Sequence, residues 1–137
     1  SEFREVIGAR MGRTWTLVYD QFFRGLPVIG GRADVRVHMV GRVPMFGSQA
    51  WPIPADFDTA PRITPEVATA CAWQALAQAP TGVSQPRAIA APRLVIWGDI
   101  DATERAPFYL AWEVSISNVN RARSLLVTSL GTCRPFA

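Results

Sequence analysis

Thr14-Trp15-Thr16-Leu17-Val18-Tyr19-Asp20-Gln21-Phe22-Phe23, then Arg24-Gly25-Leu26-Pro27, then Val28-Ile29-Gly30-Gly31: the reading of this run decides the fold. Its first ten residues are rich in β-branched and aromatic side chains, which suit a pleated, half-buried surface, so they predict a strand. Gly25 allows an unusual φ and Pro27 fixes the chain direction, so residues 24–27 predict a turn. A second strand is expected from Val28, with Gly30-Gly31 marking a bulge or a close approach of backbone. Val35-Arg36-Val37-His38-Met39 then alternates, placing Val35, Val37 and Met39 on one face and Arg36 and His38 on the other. Val40-Gly41 turns the chain into a further short strand, Arg42 to Phe46. This half reads as an antiparallel meander with one buried face.

Working outward from it, residues 51–62 are Pro-rich and acidic and read as an extended linker. A helix is expected next. Thr64 suits the N-cap, Pro65 the first helical position, and Glu66 the positive end of the dipole. It should run to about Ala79 and stop at Pro80 and Gly82. Val67, Cys71 and Ala75 form one stripe, with Ala68, Ala72 and Leu76 beside it, a small-residue surface that can lie close on a sheet. Leu94-Val95-Ile96-Trp97 reads as a short buried strand. Phe108, Leu110, Trp112, Val114 and Ile116 share one side of a second, and Ser124 to Leu130 forms a third, closed by Gly131. The expected class is α+β: antiparallel sheets with a helix packed on the sheet.

The composition is that of a globular chain. The 137 residues are 49% hydrophobic and 18% charged, which excludes a disordered polymer. No apolar run nears the ~20 residues of a membrane-spanning helix, so no membrane partner is expected. The formal charge of +3 rests on fourteen arginines and no lysine. Along the sequence these arginines stand singly among acids rather than in a block, which argues against a nucleic-acid partner. Cys71 and Cys133 fit either one disulfide of an exported protein or two unrelated thiols.

No catalytic constellation emerges. His38, the one histidine, lies in an alternating strand with no partner residue to make it a base. Gly47-Ser48-Gln49-Ala50 lacks the second Gly of a nucleophile elbow. Cys71 sits in an apolar helical stripe, where a thiol is inert. There is no H-E-x-x-H, no phosphate loop and no dinucleotide fingerprint. Asp99-Ile100-Asp101-Ala102-Thr103-Glu104 lacks the Gly and the spaced Glu of a calcium loop. A non-enzyme without metal or cofactor is expected.

Gln21, Gly25, Pro27, Val28 and Gly30, followed by an alternating strand and the Gly41 turn, match Q-x-x-x-G-[IV]-P-V-x-G. That pattern resembles the N-terminal propeptide module of fungalysin and thermolysin-type metalloproteases. The second half is similar to its companion module, PepSY. The matching features are the capped helix from Ile63, the strand Leu94 to Ile96, and Leu110-Ala111-Trp112-Glu113-Val114 in place of L-A-[WY]-x-V. One departure is Val127-Thr128-Ser129-Leu130-Gly131, which lacks the acid that the family carries there.

The resemblance implies two cystatin-like or PepSY-like subdomains: a β-meander over 1–50 and a helix plus three-stranded sheet over 63–137, joined by the linker. It also implies a function: a non-catalytic propeptide of a secreted or periplasmic zymogen, acting as intramolecular chaperone and inhibitor of a thermolysin-like zinc protease. The partner would be that protease's catalytic domain, in cis where the chain continues into one, or in trans. The alternative is a stand-alone secreted PepSY-type inhibitor or regulatory binder. Interfaces of this kind centre on apolar and aromatic anchors. Phe22 and Phe23 alternate, so one must face outward; Phe23, Tyr109, Arg134 and Phe136 are the candidate partner contacts, with Trp51 and Phe57 in the linker as further aromatics.

Overall fold

The computed structural model describes residues 1–77, 87–88, 90–98, 108–118, 121–128 and 135–136. Most of them form strands, with one short helix. The strands are β1 (Glu2–Met11), β2 (Thr14–Phe23), β3 (Leu26–His38), β4 (Met45–Ser48), β5 (Arg87–Ala88), β6 (Arg93–Gly98), β7 (Phe108–Asn118), β8 (Arg121–Thr128) and β9 (Pro135–Phe136); the helix α1 is Pro65–Ala77. Internal contacts group the chain into two units. One comprises Ser1–Phe57 with Ile96–Phe108, the other Asp58–Val95 with Tyr109–Ala137.

In the first unit β1, β2, β3 and β4 form an antiparallel meander. β1 extends it beyond the expected strands. All ten of its residues are exposed, and a register shift between Glu5 and Ile7 breaks its alternation. A strand that buries nothing and skips a beat carries no period-2 signal. Between β2 and β3 the turn is tighter than expected. Arg24 and Gly25 both take positive φ, 47° and 79°, the pattern of a two-residue type I′ hairpin, which matches strand twist. Pro27 therefore lies inside β3, opposite Phe22.

β3 is one long strand rather than two, and the glycine pair marks where it changes partner. Opposite Gln21 alone, β3 carries Val28 to Gly31, which drop out of the ladder with β2. Val28 and Ile29 pair instead with Ile96 and Trp97 of β6, and they do so in parallel. The sheet is therefore mixed, which corrects the expectation of antiparallel sheets. The intervening chain includes α1, and a long crossover is what parallel neighbours require. Cross-strand partners share a face, so Trp15, Leu17, Val35, Val37 and Phe46 line one side of the meander. Thr14, Thr16, Arg36 and His38 line the other. Met39, expected to continue the apolar face, lies past the end of β3.

The core of this unit sits at the residue 21–31 end. Phe23 meets Phe57, Phe57 meets Phe108, and Phe108 meets Trp51, each edge to face with ring centroids 6.0 to 6.5 Å apart, the arrangement favoured by the ring quadrupoles. A Cβ on Gly98 would lie 3.1 Å from the Trp51 ring, so the indole rests on β6 backbone.

In the second unit, to which β6 contributes only Arg93–Val95, β7, β8 and β9 lie side by side and β5 pairs with β7. The helix begins as expected: the Val67 amide donates to Thr64 Oγ1, satisfying an orphan donor of the first turn, and the Ala68 amide donates to the Thr64 carbonyl as the first intrahelical bond. Its end, with Pro80 and Gly82, lies outside the described residues. Ala68 and Ala72 are fully buried and cluster with Val114, Ile116 and Val127. This is the small-residue contact that lets a helix lie close on a sheet, and of the two stripes it is the Ala68–Ala72 one that buries. Val67 is exposed, and Cys71 is half-buried and disulfide-bonded. Cys133 lies outside the described residues.

Candidate functional site

The motif residues of the first half converge on Gln21. It is the one polar residue among the buried side chains described, at 1% exposure. Its Nε2 donates to the Trp51 carbonyl at 2.8 Å, and its Oε1 accepts from the Trp51 amide at 2.8 Å. The side chain thus acts as a surrogate strand, pairing one residue of backbone on both sides. Nε2 also reaches Ser1 Oγ at 3.2 Å. A buried amide is tolerated when its donors and acceptor are occupied. Gly31 is required beside it: a Cβ there would lie 2.6 Å from Gln21 Oε1 and 2.8 Å from Gln21 Cβ. Gly30 takes φ 77°, a left-handed conformation that glycine adopts without strain. Val28 is buried against this same corner.

Arg24 reinforces the tie. Its guanidinium lies over the Phe23 ring, 5.2 Å from the centroid, and donates to the carbonyls of Ala55 at 2.6 Å and Phe57 at 3.3 Å. Residues 51–57, read from the sequence as linker, are therefore held to the first unit by Gln21, Arg24 and the aromatic chain.

The second motif makes a comparable tie in its own unit. Leu110 and Val114 are buried, and Trp112 donates from Nε1 to the Ile63 carbonyl at 3.0 Å, fixing the residue before the helix cap. Arg93 and Glu113 form an ion pair at 2.8 Å on the neighbouring strands.

Of the candidate partner contacts, Phe23 is corrected. It is 5% exposed and packs on Phe57. Phe22 is its outward neighbour, half-buried beneath the Arg4 guanidinium. Gln21 and Phe23, two residues apart on β2, share the buried face as alternation requires, but alternation alone does not say which face is buried and so could not choose between the two phenylalanines. Trp51 and Phe57 are half-buried members of the aromatic chain. Tyr109 lies half-buried on β7. Phe136 lies in β9, its backbone opposite Leu126. Arg134, Gly131 and the Asp99–Glu104 loop lie outside the described residues. His38 Nδ1 accepts from the Val40 amide at 3.3 Å, and Ser48 Oγ accepts from the Ala50 amide at 3.3 Å. Among the described residues no three His, Cys, Asp or Glu side chains converge as metal ligands would.

The topology has a counterpart among solved structures. The chain is similar to the Bacillus megaterium YpeB C-terminal domain. That match has a TM-score of 0.54 at 12% identity and covers 97% of this chain and 54% of the other, so the chain spans about half the length of the solved chain it matches. At that identity the likeness is one of fold. No family model matches the sequence. No curated protein matches it either.

Proposed function

We propose that this chain is a non-catalytic propeptide domain, acting as intramolecular chaperone and inhibitor of a thermolysin-like secreted zinc metalloprotease. The observation that carries the reading is the Gln21 tie. Gln21, Gly25, Pro27, Val28 and Gly30 match the propeptide motif that the chain resembles. In one corner of the fold Gln21 makes a two-sided hydrogen bond to Trp51, Gly25 and Gly30 take positive φ, and Val28 lies where β3 changes partner. A motif that builds a scaffold rather than a reaction centre fits a protein that works by presenting a surface. The fold likeness to the Bacillus megaterium YpeB C-terminal domain is loosely consistent with a PepSY-like module in the second half.

The test is inhibition and refolding in trans. Purified chain is added to active thermolysin-like protease, and separately to the denatured protease during refolding. Slowed peptide hydrolysis in the first arm and raised recovery of activity in the second are expected. No effect in either arm at concentrations of tens of micromolar would remove the proposal. A downstream H-E-x-x-H in the parent reading frame favours action in cis.

A further inference from the structure

The turn joining β1 to β2 and the turn joining β3 to β4 lie side by side. The Met39 amide donates to the Arg13 carbonyl at 2.9 Å, and the Arg10 guanidinium reaches the Met39 sulfur at 3.3 Å. Gly12 and Gly41 take φ of 61° and 80°, which keeps both turns tight. The apex they form is apolar. Met11 is 78% exposed and Val40 70%, and Met39, Val43 and Met45 are also exposed.

Behind this apex stand Arg10, Arg13, Arg36 and Arg42. Residues 6–19 and 35–55 contain no acid, and none of the four forms an ion pair among the described residues. Arg4, Arg32 and Arg93, by contrast, pair with Glu2, Asp20 and Glu113. Arginines that stand singly in the sequence are thus brought to one end of the meander, Arg10 by register on the face of Trp15 and Val37 and Arg36 on the opposite face.

We infer that this double-turn apex docks on the anionic headgroup layer of a lipid bilayer. Charge and shape both favour that occupant. Guanidiniums that have no ion pair among the described residues complement an anionic surface, and the aliphatic and thioether side chains stand at the apex, where they can enter the headgroup–acyl boundary. The backbone there is already bonded internally: the His38 amide to the Arg42 carbonyl at 2.7 Å, the Gly41 amide to the His38 carbonyl at 2.8 Å. Entry therefore brings few bare peptide groups with it. Trp15, 43% exposed and paired with Val37 one step behind, supplies the aromatic that favours the interface. A protein partner asks for roughly 800 Å² per side around central aromatic anchors, and two tight turns tipped with Met and Val do not offer that. The contact is peripheral, since no described helix is long and apolar enough to cross a membrane. It does not rest on the protease reading.

The test is co-sedimentation of the full chain with large unilamellar vesicles, either phosphatidylcholine alone or with about 30% phosphatidylglycerol. Binding to the anionic vesicles only, weakened by salt, is expected. Each basic residue near such a surface contributes about a fivefold factor, so Arg13→Ala with Arg42→Ala lowers partitioning roughly thirtyfold. Val40→Asn, which adds no charge, lowers it by about tenfold through lost insertion. Arg32→Ala, at the other end of the same meander, changes it less than about twofold. All substituted sites are exposed, and circular dichroism checks that the fold is kept. Absence of binding, equal binding to neutral vesicles, or equal loss with Arg32→Ala overturns the inference. So does full retention by Val40→Asn, because a polyanion such as nucleic acid needs the guanidiniums but not the apolar apex.

Discussion

Replacing Gln21 by Glu converts the tie at Trp51 into a pH-dependent one, and the sign follows from the geometry. A protonated carboxyl can do what the amide does: its O–H donates to the Trp51 carbonyl, and its other oxygen accepts from the Trp51 amide, contacts now held at 2.8 Å each. An ionised carboxylate loses the donor, faces the carbonyl oxygen and carries a charge into a site where the present side chain is 1% exposed. Burial and the carbonyl dipole both raise the introduced carboxyl's folded-state pKa above its unfolded value of about 4.3. Stability is then fully present below about pH 4.3 and is lost as pH rises through the raised value. A rise of about two pH units corresponds to roughly 3 kcal/mol. For a chain of this length that is a melting-point loss of about 10 °C. The assay is thermal unfolding of Gln21→Glu against the unsubstituted chain from pH 4 to pH 8. Ser1 is N-acetylated in both, to remove the positive charge of a residue whose hydroxyl touches this side chain. Near-equal melting at pH 4 and a gap of about 10 °C at pH 8 are expected. A gap that stays constant across the range would show that the amide is not acting as a paired donor and acceptor.

Other outcomes follow from the same structure. Phe23→Ala should cost about 3 kcal/mol in denaturant unfolding, whereas Phe22→Ala should cost under about 1 kcal/mol; equal costs would reverse their assignment to inside and outside. Trp112→Phe keeps an aromatic ring but deletes the indole N–H donor to the Ile63 carbonyl together with part of the packed ring, so a loss of about 1–2 kcal/mol is expected by the same measurement. In denaturant without reductant the chain should show no reactive thiol at Cys71, and Cys71→Ser should lower stability by about 2–4 kcal/mol; a free thiol at that position would contradict the bonded state.

The parts of the fold legible in the sequence were those with local signals. β2, the Thr64-capped helix and the alternation of Phe108 to Ile116 announce themselves through period and caps. β1 does not, because it is exposed throughout and its register shifts at Val6. The parallel pairing of β3 with β6 does not either, since two short apolar segments far apart in the chain carry no mark of being neighbours. At the site, the motif singled out Gln21 and Gly30, but the role of Gln21 was hidden: its partner is the backbone of Trp51, and backbone leaves no trace in sequence. The placing of Arg10, Arg13, Arg36 and Arg42 at one end of the meander was equally invisible, because separations along the chain of up to some thirty residues are closed only by the meander's register.

The parallel pair bears on the order in which the chain can assemble. Hairpins β1–β2, β2–β3 and β3–β4 close short loops and can zip as soon as residue 48 is available, whereas Val28 and Ile29 must wait for Ile96 and Trp97. Non-local parallel pairing is the slow step of such a topology. During synthesis, then, a formed meander carries an open notch at Val28–Ile29 until β6 emerges, and that notch is the place where a chaperone or a foreign strand would find the nascent chain.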